Sequence, residues 1–140
     1  MKSFFITGAT GFVGQRLVKA LDGEIRVLSR TRQSNYETVI CDLQSDAIPN
    51  DALNEVDTVF HLAGIAHDIR DESKIKELYQ KVNIDATIQL AELAIKSGVK
   101  NFLFVSSVKA GGLPLFGQCL SEENQGEPDS IYGQTKREAE

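Results

Sequence analysis

Tyr132 and Lys136 stand four residues apart in the stretch Tyr-Gly-Gln-Thr-Lys. On a helix that spacing puts a phenol and an ammonium on one face. A free phenol titrates near about 10 and is a poor base at neutral pH. A cation held beside it stabilises the phenolate and brings proton exchange with a substrate hydroxyl within reach. Ser106 and Ser107 close the apolar run Phe102-Leu103-Phe104-Val105. In an open α/β sheet ligands bind beyond the carboxyl ends of the strands, where a serine hydroxyl can hold the reacting oxygen.

A second constellation lies near the amino terminus. Thr7-Gly8-Ala9-Thr10-Gly11-Phe12-Val13-Gly14 follows directly on the β-prone run Phe4-Phe5-Ile6 and opens a helical pattern. In that setting Gly8 suits a tight turn, Gly11 lets the backbone approach a pyrophosphate, and Gly14 allows close packing of helix on strand. The helix start adds N–H groups and partial positive charge for phosphates. The spacing is G-x-x-G-x-x-G, and no Gly-Lys-Ser/Thr follows as in a P-loop. A bound nicotinamide dinucleotide would exchange hydride while the Tyr132–Lys136 pair exchanges the proton. An acidic residue at the end of the second strand selects NAD through the ribose 2′-hydroxyl. Here that strand ends Leu28-Ser29-Arg30-Thr31-Arg32, with no acid. Ser29, Arg30 and Arg32 suit a 2′-phosphate, so NADP(H) is favoured over NAD(H).

The elements that must position these groups alternate in type. Short apolar runs at residues 4–6, 25–28, 38–41, 58–62 and 102–105 read as strands. Val13, Leu17, Val18 and Leu21 fall at helical spacing over residues 12–21, with Gly23 as the closing residue. A short helix is expected over residues 51–55 after Pro49-Asn50. The longest pattern runs over residues 73–96, where Ile75, Leu78, Tyr79, Val82, Ala86, Leu90, Leu93 and Ala94 make one apolar stripe. Asn83 and Thr87 lie one turn apart along its edge, where a polar side chain needs a partner. The fifth apolar run suits a strand buried on both faces. A further helix begins near Ser130. This alternation predicts an α/β fold of Rossmann type, a doubly wound parallel sheet in the order 3-2-1-4-5.

The chain has 140 residues, 41% hydrophobic and 25% charged, with a net charge of −5. That is one domain with a core of its own. The acidic balance gives no footprint for nucleic acid or an anionic membrane. The run at the amino terminus is too short for a signal peptide, and no stretch approaches a membrane span. Cys41 and Cys119 are too few for a disulfide framework, so a cytoplasmic setting is expected. Cys41 ends a strand and reads as a core thiol. His61 reads as a strand-end residue packed by the cofactor and His67 as a surface residue. No ligand spacing makes a metal site of His61, His67 and Asp68, and no Gly-x-Ser-x-Gly elbow marks a serine hydrolase.

Taken together these residues resemble the amino-terminal part of an extended short-chain dehydrogenase/reductase, the NAD(P)-dependent epimerase/dehydratase family. The matching stretches are Thr7 to Gly14, Asp42-Leu43, His61-Leu62-Ala63-Gly64, Asn83 within Val-Asn-Ile-Asp-Ala-Thr, Ser106-Ser107, and Tyr132 to Lys136. They follow the family's order along essentially the whole chain. The resemblance implies Tyr132 as general acid/base. Lys136 would lower its pKa and hold the nicotinamide ribose, Ser107 would polarise the substrate oxygen, and Asn83 would complete the proton relay. It implies Asp42 at the adenine amino group with Leu43 against the ring. Leu62, Ala63 and Gly64 would line the cofactor past the fourth strand. It also implies a continuation beyond Glu140 with further strands and a substrate domain, which makes residues 1–140 an incomplete dinucleotide-binding domain.

The departures narrow the activity. Family members that dehydrate nucleotide sugars carry an Asp-Glu pair just after the catalytic Ser/Thr, where this chain has Val108 and Lys109. Many 4-epimerases continue from the serines into Tyr-Gly, where Gly111-Gly112 stands here. Lys109 is a candidate for an anionic substrate group. The expected substrate is a nucleotide-linked sugar, handled by a 4-keto reductase or a 4-epimerase. The alternative is an NADP(H)-binding sensor domain without turnover, although such relatives typically lose the Tyr or the Lys. The resemblance also implies a homodimer through the two long helices.

Overall fold

The computed structural model describes residues 1–66 and 72–140. Five strands form one parallel sheet: β1 (Ser3–Thr7), β2 (Glu24–Ser29), β3 (Glu37–Ile40), β4 (Thr58–His61) and β5 (Asn101–Phe104). Their order is β3-β2-β1-β4-β5, as the alternation of elements predicts. Between and after them lie helices α1 (Gly14–Ala20), α2 (Glu72–Tyr79), α3 (Ala86–Lys96) and α4 (Ile131–Ala139). None of the helices among the described residues is long and apolar enough to cross a membrane.

The two-residue period of the strands builds two cores. Phe5, Val59 and Leu28 point to one face, where Leu90, Leu93 and Ala94 of α3 and the segment around Leu53 cover them. Ile6 and Val27, one residue out of phase, point to the other and meet Val18 of α1. Register keeps each set together, since Ile6 stands opposite both Val27 and Phe60 while Phe5 stands opposite Val59. A slip of one residue would exchange the two faces.

The turn from β1 into α1 is the tightest junction. Gly8 takes φ +72°, which favours glycine, and a side chain there would meet Ala63 N at 2.8 Å. A Cβ on Gly14 would land against Gly8 O and 2.7 Å from Ala9 Cα. Both obstacles are backbone, which cannot rotate away. The close packing at Gly14 is of α1 on the turn that follows β1.

Four expectations are corrected. Residues 51–55 form successive turns, not a helix. Ala52 N donates to Pro49 O and Asn54 N to Asp51 O. Glu55 has φ 60°, which is incompatible with helix, and Arg26 donates to the carbonyls of Ala52 and Asn54 (3.0 and 2.9 Å). Gly23 does not close α1. The helix ends in the extended residue Leu21, and Gly23 (φ +156°) sits at the entry to β2, where a side chain would strike Lys2 O. The helix expected over 73–96 is interrupted by a π-helical segment, Gln80–Asp85, whose register shows in Ala86 N donating to Lys81 O. Finally, β5 is not buried on both faces: Leu103 is exposed, while Phe102 and Phe104 are half-buried.

Gly14→Ala is expected to cost at least about 3 kcal/mol, because the added carbon overlaps backbone. Urea unfolding at unchanged m-value reads this directly, and an unchanged midpoint would show that α1 can part from β1 without cost.

Candidate active site

Beyond the carboxyl ends of the strands lies a cleft of about 330 Å³. Of the predicted cofactor residues, Gly8, Thr10, Gly11, Ser29, Arg30, Asp42, Leu43, Leu62, Ala63 and Gly64 line it. Its edge at β2 carries Arg30 and no acidic side chain of that strand. Asp42 is already engaged, its Oδ1 accepting from Gln44 N (3.0 Å) while its own N–H donates to Asp46 (2.7 Å). These bonds hold the turn after β3 in place and hold the Asp46 carboxyl below its usual range.

Phe12, Val13, Gly14, Arg32, Tyr132 and Lys136 lie outside the lining. Phe12 is exposed, with the Arg16 guanidinium 3.8 Å from its ring centre. Sequence reasoning missed Leu28, Cys41, Gln44, Ile65 and Val82, which also line the cleft. Leu28 and Cys41 point inward from strands read only as core. The Cys41 thiol is buried, and burial together with Asp46 and Asp42 pushes its pKa up. Val82 was legible only as part of an apolar stripe.

The catalytic candidates gather around α4. Ser130 caps its start, accepting from Gly133 N at 3.2 Å. Lys136 is 3% exposed, donates from Nζ to Val105 O (2.8 Å), and lies over the Phe104 ring at 4.5 Å. Burial lowers its pKa, with Glu140 acting in the opposite direction. A side chain on Gly64 would come within 3.3 Å of Lys136 Nζ and 3.2 Å of Asn83 Oδ1, so the wall of the cleft meets both residues. Asn83 is buried in the π-helical segment and grips Ile65 twice, accepting from its N–H (2.8 Å) and donating to its carbonyl (3.0 Å). It also donates to Thr135 Oγ1 at 3.1 Å. Asn83 therefore faces inward, and its amide is fully partnered there.

Ser107 caps a 3-10 turn, Val108–Gly111, by accepting from Lys109 N. That turn packs against α4, where a side chain on Gly133 would strike Lys109 O at 2.5 Å. Ser107 and Tyr132 thus come from two elements in direct contact. Lys109 pairs with Asp129 at 3.9 Å on the surface.

His61 is not packed by the cofactor cleft. It is fully buried beneath it, with Nδ1 2.6 Å from Thr7 Oγ1 and Nε2 2.8 Å from Thr87 Oγ1. Burial, helped by the Lys136 charge, lowers its pKa to about 4, so the ring is neutral. His67 and Asp68 lie outside the described residues.

The chain is similar in sequence and fold to known proteins. The chain is 36% identical to UDP-glucose 4-epimerase of Vibrio cholerae over 99% of its length, covering 45% of that protein. It is 32% identical to N-acetyl-alpha-D-glucosaminyl-diphospho-ditrans,octacis-undecaprenol 4-epimerase of Escherichia coli O157:H7, covering 96% of this chain and 40% of that protein. The solved structure of MoeE5 in complex with UDP-glucose and NAD superposes with a TM-score of 0.83 at 30% identity, over 98% of this chain and 46% of that one. The chain thus spans less than half the length of these relatives. A sequence model of the NAD dependent epimerase/dehydratase family matches residues 4–140, so glycine turn, cleft and Tyr-Lys helix are all inside the match, and the chain belongs to that family of NAD(P)-dependent enzymes.

Proposed function

We propose that this chain is the dinucleotide-binding and acid–base part of an enzyme that oxidises or reduces a nucleotide-linked sugar, as a 4-keto reductase or a 4-epimerase. The observation that carries the reading is the meeting of Lys136 and Asn83 with Gly64, which joins the helix of Tyr132 to the wall of the glycine-turn cleft. The solved relative MoeE5 supports a nucleotide sugar, since it forms complexes with UDP-glucose and with UDP-glucuronic acid.

The residues fit a bound nicotinamide dinucleotide. Gly8 and Gly11 leave the cleft floor without side chains, and Leu43 and Leu62 offer apolar walls. When bound, the dinucleotide supplies hydride transfer. The protein supplies the proton. Tyr132 gives or takes it at the substrate hydroxyl, and Lys136 stands one turn along the same helix. Ser107 holds the same substrate oxygen. Asn83 fixes Ile65 and the residue before Lys136, and so keeps cleft and helix in register.

NADP(H) is the cofactor of this reading. Arg30 lines the cleft beside Ser29, and the end of β2 offers cations and a hydroxyl to a 2′-phosphate, with Arg32 close in sequence. The NAD in the MoeE5 complexes belongs to that protein. The free thiols Cys41 and Cys119 suit the cytoplasm. Ile88 and Ile95, exposed on α3, suit self-association of two copies through their long helices. In the intact protein a substrate domain following this chain selects the sugar.

Two experiments on the intact protein test these roles. Tyr132→Phe is expected to lower kcat by at least about a hundredfold and to leave the NADPH Kd unchanged. Retained turnover would remove Tyr132 as acid/base, and lost NADPH affinity would make it a binding residue instead. Arg30→Ala is expected to weaken NADPH by about tenfold while sparing NADH, as for loss of one charge-assisted pair. Equal effects on the two cofactors, or wild-type protein that prefers NADH, would overturn the NADP(H) assignment.

A further inference from the structure

The buried imidazole beneath the cleft stands in a line of hydrogen bonds whose direction can be worked out from its ends. At one end Thr87 Oγ1 donates to Asn83 O at 2.8 Å. A carbonyl only accepts, so the single hydroxyl proton of Thr87 is used there. Thr87 must then accept from His61 Nε2, which carries the ring proton. His61 Nδ1 is left bare and accepts from the hydroxyl of Thr7. Thr7 Oγ1 in turn accepts from Ala63 N at 3.1 Å. The proton count has one solution, running from Ala63 N–H through Thr7, His61 and Thr87 to Asn83 O. Thr7 and His61 are fully buried and Thr87 nearly so, so no water substitutes for a lost partner.

The two ends of this line have a common destination. Ala63 lies in the cleft wall, and its N–H is also the atom nearest to where a side chain on Gly8 would begin. Asn83 grips the next part of the same wall at Ile65. Residues 62–65 are therefore pinned from below at Ala63 and from behind at Ile65, with one imidazole between the two pins. An apolar side chain at position 61 would fill the space at lower desolvation cost, but it would orient neither threonine.

We propose that His61 is a positioning residue for the dinucleotide cleft, with Thr7 and Thr87 as its two arms, setting where residues 62–65 stand relative to the glycine turn. This role rests on the dinucleotide reading of the cleft. The ring touches neither cofactor nor substrate. Its contribution is a fixed tautomer and a fixed spacing between Ala63 N and Asn83 O.

The test uses the intact protein, with NADPH and NADH titrated separately by fluorescence. Thr87→Val keeps the shape of the side chain and removes its hydroxyl. Thr87→Ser keeps the hydroxyl. Thr7→Val acts on the other arm and decides the matter if Thr87→Val does not fold. Imidazole nitrogen NMR on wild-type protein, labelled at histidine, reads the tautomer with no variant at all. The expected results are a proton on Nε2 of His61, about tenfold weaker binding of both cofactors in Thr87→Val and Thr7→Val, and recovery in Thr87→Ser. A role in stability alone would lower Tm and leave both Kd values at the wild-type level, which overturns the proposal, as does a proton on Nδ1. Wild-type protein that binds neither cofactor would overturn the dinucleotide reading, and this role with it. Binding by wild type that the valine variants leave intact would overturn this role alone.

Discussion

A single side-chain amide joins the two halves of the site. Asn83 is 1% exposed and offers two donors and an acceptor, all in places where water cannot serve them. It uses them on both backbone groups of Ile65 and on the hydroxyl of Thr135. The first two bonds belong to the cleft wall and the third to the helix that carries Tyr132 and Lys136. A buried amide left short of partners would cost about 1–3 kcal/mol, so wall and helix are held to a common geometry.

The interruption of the long helix follows from that demand. Successive residues of an α-helix point about 100° apart, so three in a row fan over about 200°, more than a single inward face covers. Val82, Asn83 and Ile84 are all buried. The wider π-helical turn allows it, and Thr87 takes up the Asn83 carbonyl there. π-Bulges concentrate at functional sites because they re-aim side chains in this way. Here Val82 is aimed into the cleft while Asn83 beside it reaches the wall and α4.

Much of this was legible in the residues themselves. Strand order, the two faces of the sheet and the cleft around Gly8 and Gly11 follow from periodicities and from a glycine spacing with few other uses. Asn83 and Thr87 were legible as polar residues on an inward edge. The π-helical segment was not, because Ile75 to Ala94 reads as one stripe and an inserted residue is absorbed by burying one position more. Residues 51–55 escaped for a different reason: Glu55 takes a left-handed φ of 60°, which its residue type does not announce. The place of His61 was also out of reach. Its partners Thr7 and Thr87 lie 54 and 26 residues away, and a lone histidine at a strand end carries no sign of them.

Two further constraints bring α4 up to the cleft. α4 is pressed between the 3-10 turn and the wall, and each contact has a glycine on one side. Gly133 leaves room for Lys109 O and for Pro128, and Gly64 leaves room for Asn83 and Lys136. With a side chain at either position, Lys136 would stand off from the wall and its ammonium would be free to hydrate. Held as it is, the ammonium meets a carbonyl and an aromatic face, and Glu140 acts on it only at a distance through its charge. A carbonyl and a ring stabilise a cation without cancelling its charge, unlike a carboxylate in direct contact. The neutral state of His61 serves the same end, since a second cation beneath Lys136 would add repulsion to a site that already pays for desolvation.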